Sequence, residues 1–166
     1  MLHVLFVCTG NTCRSPMAKA IYAEKSAEYG ISSAFSSAAI GFGEGVVSSN
    51  AVTVCREIGI DISGHRPRIM RERDIDITDI FVVMTRSHAE TLIGMLGIPQ
   101  SKIYILGGGI PDPYGSDVET YRQCRMSIEK GIDEFCRLIR KKLDNGTLKV
   151  GNNDQPYIRA NAIWTP

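Results

Sequence analysis

HVLFVCTGNTCRSPMAKAIYAE, residues 3–24, decides how this chain folds. Residues 4–7 are uniformly apolar, the composition of a strand buried on both faces. Ser15 then reads as an N-cap, Pro16 as the first helical residue, and Gly30 as the residue just past the end of a helix over 16–29. Between strand and helix lies a short polar turn holding two cysteines and an arginine.

The same alternation continues downstream. Residues 35–40 suit a second strand, 41–49 a glycine- and serine-rich loop, and 50–58 a helix stopped by Gly59. Residues 79–85 carry the run IFVVM, a third strand, and 87–96 a helix closed by Gly97 and Pro99. Residues 102–106 read as a fourth strand, and GGGIPDPYG (107–115) as an irregular loop. Residues 117–143 form a long amphipathic helix, and Asp144-Asn145-Gly146 ends it. Strands alternating with helices imply an α/β fold, a parallel sheet covered on both faces. One domain is expected over 1–146, with a polar tail, 147–166, to which the sequence assigns no role. In open sheets of this kind ligands bind beyond the carboxyl ends of the strands. The loops after the first and fourth strands should therefore meet over one site.

A length of 166 residues suits one domain with one core. A net charge of +1 gives no reason to expect nucleic acid or a polybasic membrane contact as partner. No apolar run approaches the roughly 18 residues of a membrane span, and the N-terminus has no secretory leader, so a cytoplasmic location is expected. Five cysteines, an odd number, fit reduced thiols better than a disulfide framework. Cys8 and Cys13 lack a partner pair at ligand spacing and the three histidines are scattered, so no metal or other cofactor is expected. A nucleotide loop of the lysine type is absent, because no Gly-Lys-Ser/Thr follows.

The turn itself carries the chemistry. A loop entering a helix N-terminus presents unpaired N–H groups and the positive end of a dipole, and so suits an anion such as phosphate. Thr9, Gly10, Asn11, Thr12 and Cys13 supply that loop; Gly10 and Asn11 tolerate the left-handed backbone angles it needs. Arg14 adds a planar fork that matches two phosphate oxygens. Cys8, at the strand end, should lie at the floor of this cradle, where the same field favours a thiolate. Ser15 can hydrogen-bond its sulfur, aiding it as nucleophile and as leaving group. A cysteine ending a buried strand is ordinarily a small core residue, and it is the company of Gly10, Asn11, Arg14, Ser15 and Pro16 that argues otherwise for Cys8.

With these residues in place the chain resembles the low-molecular-weight protein tyrosine phosphatase family. The signature Cys-x5-Arg-Ser after the first strand reads CTGNTCRSP over 8–16, and the Asp-Pro-aromatic loop reads Asp112-Pro113-Tyr114. FSSAA, GIDISGHRPR and DIFVVMT resemble further family segments, and the likeness runs over about residues 2–142. The resemblance implies a three-layer α/β/α fold with a four-stranded parallel sheet in the flavodoxin-like order 2-1-3-4. It implies Cys8 as nucleophile through a phosphocysteine, Arg14 and the loop amides as phosphoryl binders, and Asp112 as general acid and then base. Ser37 and His65 match a serine and a histidine that hold Asn11. Cys13 matches a cysteine that in some members pairs reversibly with the nucleophile. The implied partners are a phosphorylated protein substrate and, in the loop, inorganic phosphate or a similar oxyanion.

Departures concern the substrate. Ala39 stands where the family has glycine, Phe42 stands in a loop that lacks the common tryptophan, and Tyr114 is followed by Gly115. Thr12 replaces an apolar residue of tyrosine-specific members and resembles the bacterial protein arginine phosphatase branch. An apolar wall suits a phenyl ring and a hydroxyl suits a guanidinium, so phosphotyrosine and phosphoarginine both remain open, with Thr12, Phe42 and Tyr114 as pocket residues. Arsenate reductase on the same fold needs a redox cysteine pair after the third strand, where this chain has MTRSHAETLIGM. Cys124 and Cys136, twelve residues apart on the last helix, read as core positions. A non-catalytic phosphate-binding module would lack the nucleophile or the acid, and both are present. The basic run 65–73 reads as a solvated loop and helix start.

Overall fold

The computed structural model describes residues 1–43 and 45–148. The parallel sheet contains β1 (Leu2–Cys8), β2 (Ser33–Ala39), β3 (Ile80–Val83) and β4 (Ile103–Ile105), in the order β2-β1-β3-β4. The helices are α1 (Arg14–Glu28), α2 (Ser49–Arg56), α3 (Glu72–Ile77), α4 (Arg86–Leu96) and α5 (Val118–Asp144). Fold class, strand order and the layered arrangement agree with the sequence reading.

Alternation along the central strands divides the core in two. Leu2, Val4, Phe6 and Cys8 of β1, with Ile80 and Val82 of β3, join the cluster formed with α1, α2 and α5. Leu5, Val7, Phe81 and Val83 face the other way, onto Ala89 and Leu92 of α4. Cys8 is thus the last inward position of β1 on the α1/α5 side. α5 approaches the end of β4 closely at Gly131, where a Cβ would lie 3.0 Å from Leu106 Cγ and 3.1 Å from the Gly107 nitrogen. Leu148 is buried against this core, two residues past Gly146. Residues 149–166 of the proposed tail lie outside the described residues. No helix among the described residues is long and apolar enough to cross a membrane.

One local expectation is corrected. α1 begins at Arg14, with Cys13 as its N-cap, because the Cys13 carbonyl already accepts a helical bond from the Met17 N–H at 3.2 Å. Ser15 is therefore inside the first turn, and its hydroxyl is turned toward Cys8 and Asn11 rather than capping the helix. The basic stretch 65–73 runs into α3, so a helix does start there as read, a six-residue one that lacks the apolar spacing of the other helices.

Candidate active site

The loop 8–15 curls back on Cys8. The Ser15 hydroxyl is 3.0 Å from Cys8 Sγ, and the Asn11 N–H donates to the same sulfur at 3.3 Å. Asn11 is fully buried and holds a left-handed φ of 55°, the one positive φ at a non-glycine residue among the described residues. That conformation carries a steric cost for an L-residue, which its side chain offsets by fixing three neighbours. Asn11 Nδ2 donates to Ser15 Oγ at 2.8 Å. Its Oδ1 accepts from His65 Nε2 at 3.1 Å and from the Arg68 N–H at 3.1 Å, and its carbonyl accepts from His65 Nε2 at 3.0 Å. His65 is thus hydrogen-bonded to Asn11, the residue the family resemblance assigned to it. Ser37 does not: it is buried, its hydroxyl makes no hydrogen bond among the described residues, and Ser15 and Arg68 take its place around Asn11.

Arg14 is 3% exposed and joins the two loops. Its Nη1 donates to the Ile110 carbonyl at 3.1 Å, and its Nη2 lies 3.0 Å from Asp112 Oδ2. The 107–115 loop is anchored from the other side by the Ile110 N–H, which donates to the Met84 carbonyl at the end of β3 at 2.6 Å. Gly107, Gly108 and Gly109, with φ of 56°, 75° and 133°, turn the chain there without the penalty a Cβ would bring. The Tyr114 N–H donates to Asp112 Oδ1 at 3.2 Å.

These two loops and the 41–43 turn enclose a cleft of about 300 Å³. Cys8, Thr9, Gly10, Thr12, Cys13 and Arg14 form its floor and sides, and Phe42, Asp112 and Tyr114 its rim. Phe42 is 84% exposed and Tyr114 76%, so both rings are free to meet a ligand. Every sequence-assigned site residue except Ser37 and His65 contributes to the cleft or, as Ser15 does, to the sulfur at its base.

His88 and Asp74, at or next to the site, had no motif to announce them, whereas Arg68 is the last residue of the GIDISGHRPR segment. His88, 8% exposed, places Nε2 2.9 Å from Thr9 Oγ1. Burial, with the nearby Arg14 charge adding to it and Asp112 opposing it, pushes its pKa down to about 4, so the imidazole is neutral. Arg68 and Asp74 form a two-pronged ion pair behind Asn11, at 2.7 and 2.9 Å. A histidine in the first turn of an ordinary helix and a carboxylate six residues beyond that arginine carry no signature in a lone sequence. Cys13 Sγ lies 3.4 Å from the Tyr121 hydroxyl on α5. All five cysteines are free thiols, and burial pushes Cys55, Cys124 and Cys136 up to about 12, as befits core positions. Among the described residues no cluster of His, Cys, Asp or Glu is arranged to hold a metal ion.

The family model for low molecular weight phosphotyrosine protein phosphatase matches residues 3–145. The chain belongs to this family. A protein-arginine-phosphatase of Geobacillus stearothermophilus is 33% identical to this phosphatase over 146 residues, covering 83% of this chain and 96% of that one. The crystal structure of a low molecular weight protein tyrosine phosphatase from T. tengcongensis is 38% identical, with a TM-score of 0.77, covering 82% and 99% of the two chains. A cysteine mutant of the YwlE arginine phosphatase carrying a phosphorylated active-site serine superposes with a TM-score of 0.79 at 26% identity, covering 84% and 97%.

Proposed function

We propose that this phosphatase hydrolyses phosphoarginine on proteins through a phosphocysteine. The observation that carries the phosphatase chemistry is the convergence on Cys8 Sγ of the Ser15 hydroxyl and the Asn11 N–H, with Arg14 and Asp112 across the same cleft. The thiolate attacks phosphorus in line with the leaving group. As the P–N bond breaks, Asp112 passes its proton to the departing guanidine. Arg14 and the loop N–H groups hold the three equatorial oxygens throughout. Asp112, now a carboxylate, takes a proton from the water that attacks the phosphocysteine, and phosphate leaves with the Cys8 thiolate restored. The phosphorylated active-site serine of the YwlE mutant supports a covalent intermediate at this position.

Thr12 supports the choice of substrate. Its side chain lines the cleft, and its Oγ1 lies 3.4 Å from Cys13 Sγ, leaving the hydroxyl without a strong internal partner. A guanidinium is a planar, multi-donor group that a hydroxyl can accept from and that aromatic rims such as Phe42 and Tyr114 can stack against. A second reading, phosphotyrosine, draws on those same exposed rings and on the 38% identity to a tyrosine phosphatase.

The test is phosphate release from phosphoarginine and phosphotyrosine peptides of one sequence, with Cys8→Ser as the blank. Preference for phosphoarginine that is lost in Thr12→Ile establishes the proposal. Preference for phosphotyrosine, unchanged in Thr12→Ile, replaces it with the second reading. No release from either by a folded enzyme removes both.

A further inference from the structure

Asn11 is fixed by the backbone of a segment that belongs to neither active-site loop. The Arg68 N–H donates to Asn11 Oδ1, and the Arg68 carbonyl accepts from the Ala39 N–H at 2.8 Å. The Met70 N–H returns to the Ala39 carbonyl at 3.0 Å, so residues 68–70 run beside the end of β2 like a short extra strand. The same segment touches the cleft's rim. A Cβ on Gly43 would meet Arg68 C and Ile69 N at 2.3 Å, which places the turn carrying Phe42 directly against this backbone.

A peptide segment with so few hydrogen bonds of its own needs an anchor. The Arg68 guanidinium supplies it: Nη1 and Nη2 donate to the two Asp74 oxygens at 2.7 and 2.9 Å, and Nη2 reaches Ser36 Oγ on β2 at 3.4 Å. Asp74 also accepts from the Arg71 N–H at 2.8 Å, tying the start of α3 to the pair. The Asp74 side chain is 14% exposed. Its burial alone would raise its pKa, but the Arg68 and Arg71 hydrogen bonds outweigh burial and hold the carboxyl below the usual range. Paired arginine–carboxylate forks fix orientation as well as distance.

We propose that Asp74 is a positioning residue for catalysis: through Arg68 it holds Asn11, and with it Ser15 and the Cys8 sulfur, and it seats the turn that carries Phe42. This rests on the phosphatase reading of the site. The chain of contacts is continuous, from Asp74 to the Arg68 side chain, to the Arg68 N–H, to Asn11, to Ser15 Oγ and to Cys8 Sγ. Asp74 touches no substrate. Its effect arises because a small displacement of the loop misaims the nucleophile and the oxyanion donors together.

The test compares Asp74→Asn, Asp74→Glu, Arg68→Lys and Glu57→Gln with the wild type. Glu57→Gln is the control, since Glu57 makes an equivalent two-pronged pair with Arg122, at 2.9 and 2.7 Å, remote from the phosphate loop. Each variant is assayed well below its own melting temperature, and inorganic phosphate binding is measured by phosphorus NMR titration. Asp74→Asn should lose about tenfold in kcat with little change in KM for a small aryl phosphate, and should bind phosphate several-fold more weakly. Asp74→Glu should recover most of both. Arg68→Lys keeps the cation and the N–H but loses the fork, and should fall between; it decides the matter if Asp74→Asn does not fold. Glu57→Gln should melt earlier with unchanged kcat and phosphate affinity. Wild-type kcat and phosphate affinity in folded Asp74→Asn or Arg68→Lys overturn the proposal. Phosphate binding is read without turnover, so an inactive wild type would sink the phosphatase reading while the binding arm still decides this one.

Discussion

Arg14 and Asp112, ninety-eight positions apart in the chain, form an ion pair of 3.0 Å in which the arginine is buried and the aspartate stands half in solvent. The pair spans the cleft from the phosphate loop to the 107–115 loop. In the proposed reaction a phosphoryl group entering the loop would compete with Asp112 for the same guanidinium edge and so would free the carboxyl for proton transfer.

That competition makes a prediction for Asp112→Asn. Removing the carboxylate removes both a rival for Arg14 and a repulsion toward the dianion, so inorganic phosphate should inhibit the variant at lower concentration than it inhibits the wild type. Turnover should fall by roughly 10²–10⁴, the usual worth of a general acid. Arg14→Lys should lose activity and phosphate affinity together, because a point charge cannot reproduce the fork to Ile110 and to phosphate. Steady-state kinetics with phosphate as competitor checks both. Unchanged turnover in Asp112→Asn would show that the proton comes from elsewhere.

His88 predicts a pH dependence of stability. Its folded pKa of about 4 lies below the ordinary histidine value, so between pH about 6.5 and about 4 the unfolded chain holds a proton that the folded protein refuses. The unfolded state then binds more protons, and stability rises with pH across that window. Lowering the pH from 7 toward 4 should therefore weaken the fold, while stability above pH 7 stays flat as far as this group is concerned. His65 is lowered too, chiefly by burial and against the hydrogen bond to Asn11, and acts in the same direction. Urea denaturation at a series of pH values should give a shallower slope for His88→Asn than for the wild type. Equal slopes would mean that His88 is not the group responsible.

The sequence made the fold and the chemistry legible for a physical reason. Buried strands need runs such as 4–7 and 80–83, a phosphate loop needs Gly10 and Asn11 beside a helix start, and these demands leave local signatures. Of the supports of the loop, His65 was legible through the family segment that contains it, and the supporting role of the others left no local signature. Asn11 takes a partner from Arg68, brought beside Ala39 by the packing of residues 68–70, and its amide donates to Ser15 while the Ser37 hydroxyl makes no hydrogen bond among the described residues. Ser15 likewise read as a cap, since a serine before Pro16 has that meaning locally, whereas the loop had already begun the helix at Arg14. α3 was legible only as a helix start in the basic run, because none of its residues is fully buried and it has no apolar stripe to read.

Gly131 offers a prediction about the wall behind the acid loop. In an isolated helix, replacing this glycine by alanine would gain about 1 kcal/mol. Here the new methyl would stand 3.0 Å from Leu106 Cγ, 3.1 Å from Leu106 Cδ1 and 3.1 Å from the Gly107 nitrogen. Leu106 is fully buried and Gly107 is held in a left-handed turn, so neither can move aside without disturbing the core or the root of the loop that ends in Asp112. Overpacking of this kind costs about 1–3 kcal/mol, which outweighs the helical gain. Gly131→Ala should therefore melt several degrees below the wild type and lose activity beyond its loss of stability, because the turn at Gly107 yields before the long helix does. A melting temperature equal to or above that of the wild type would show that α5 has room to withdraw and that Asp112 is placed independently of it.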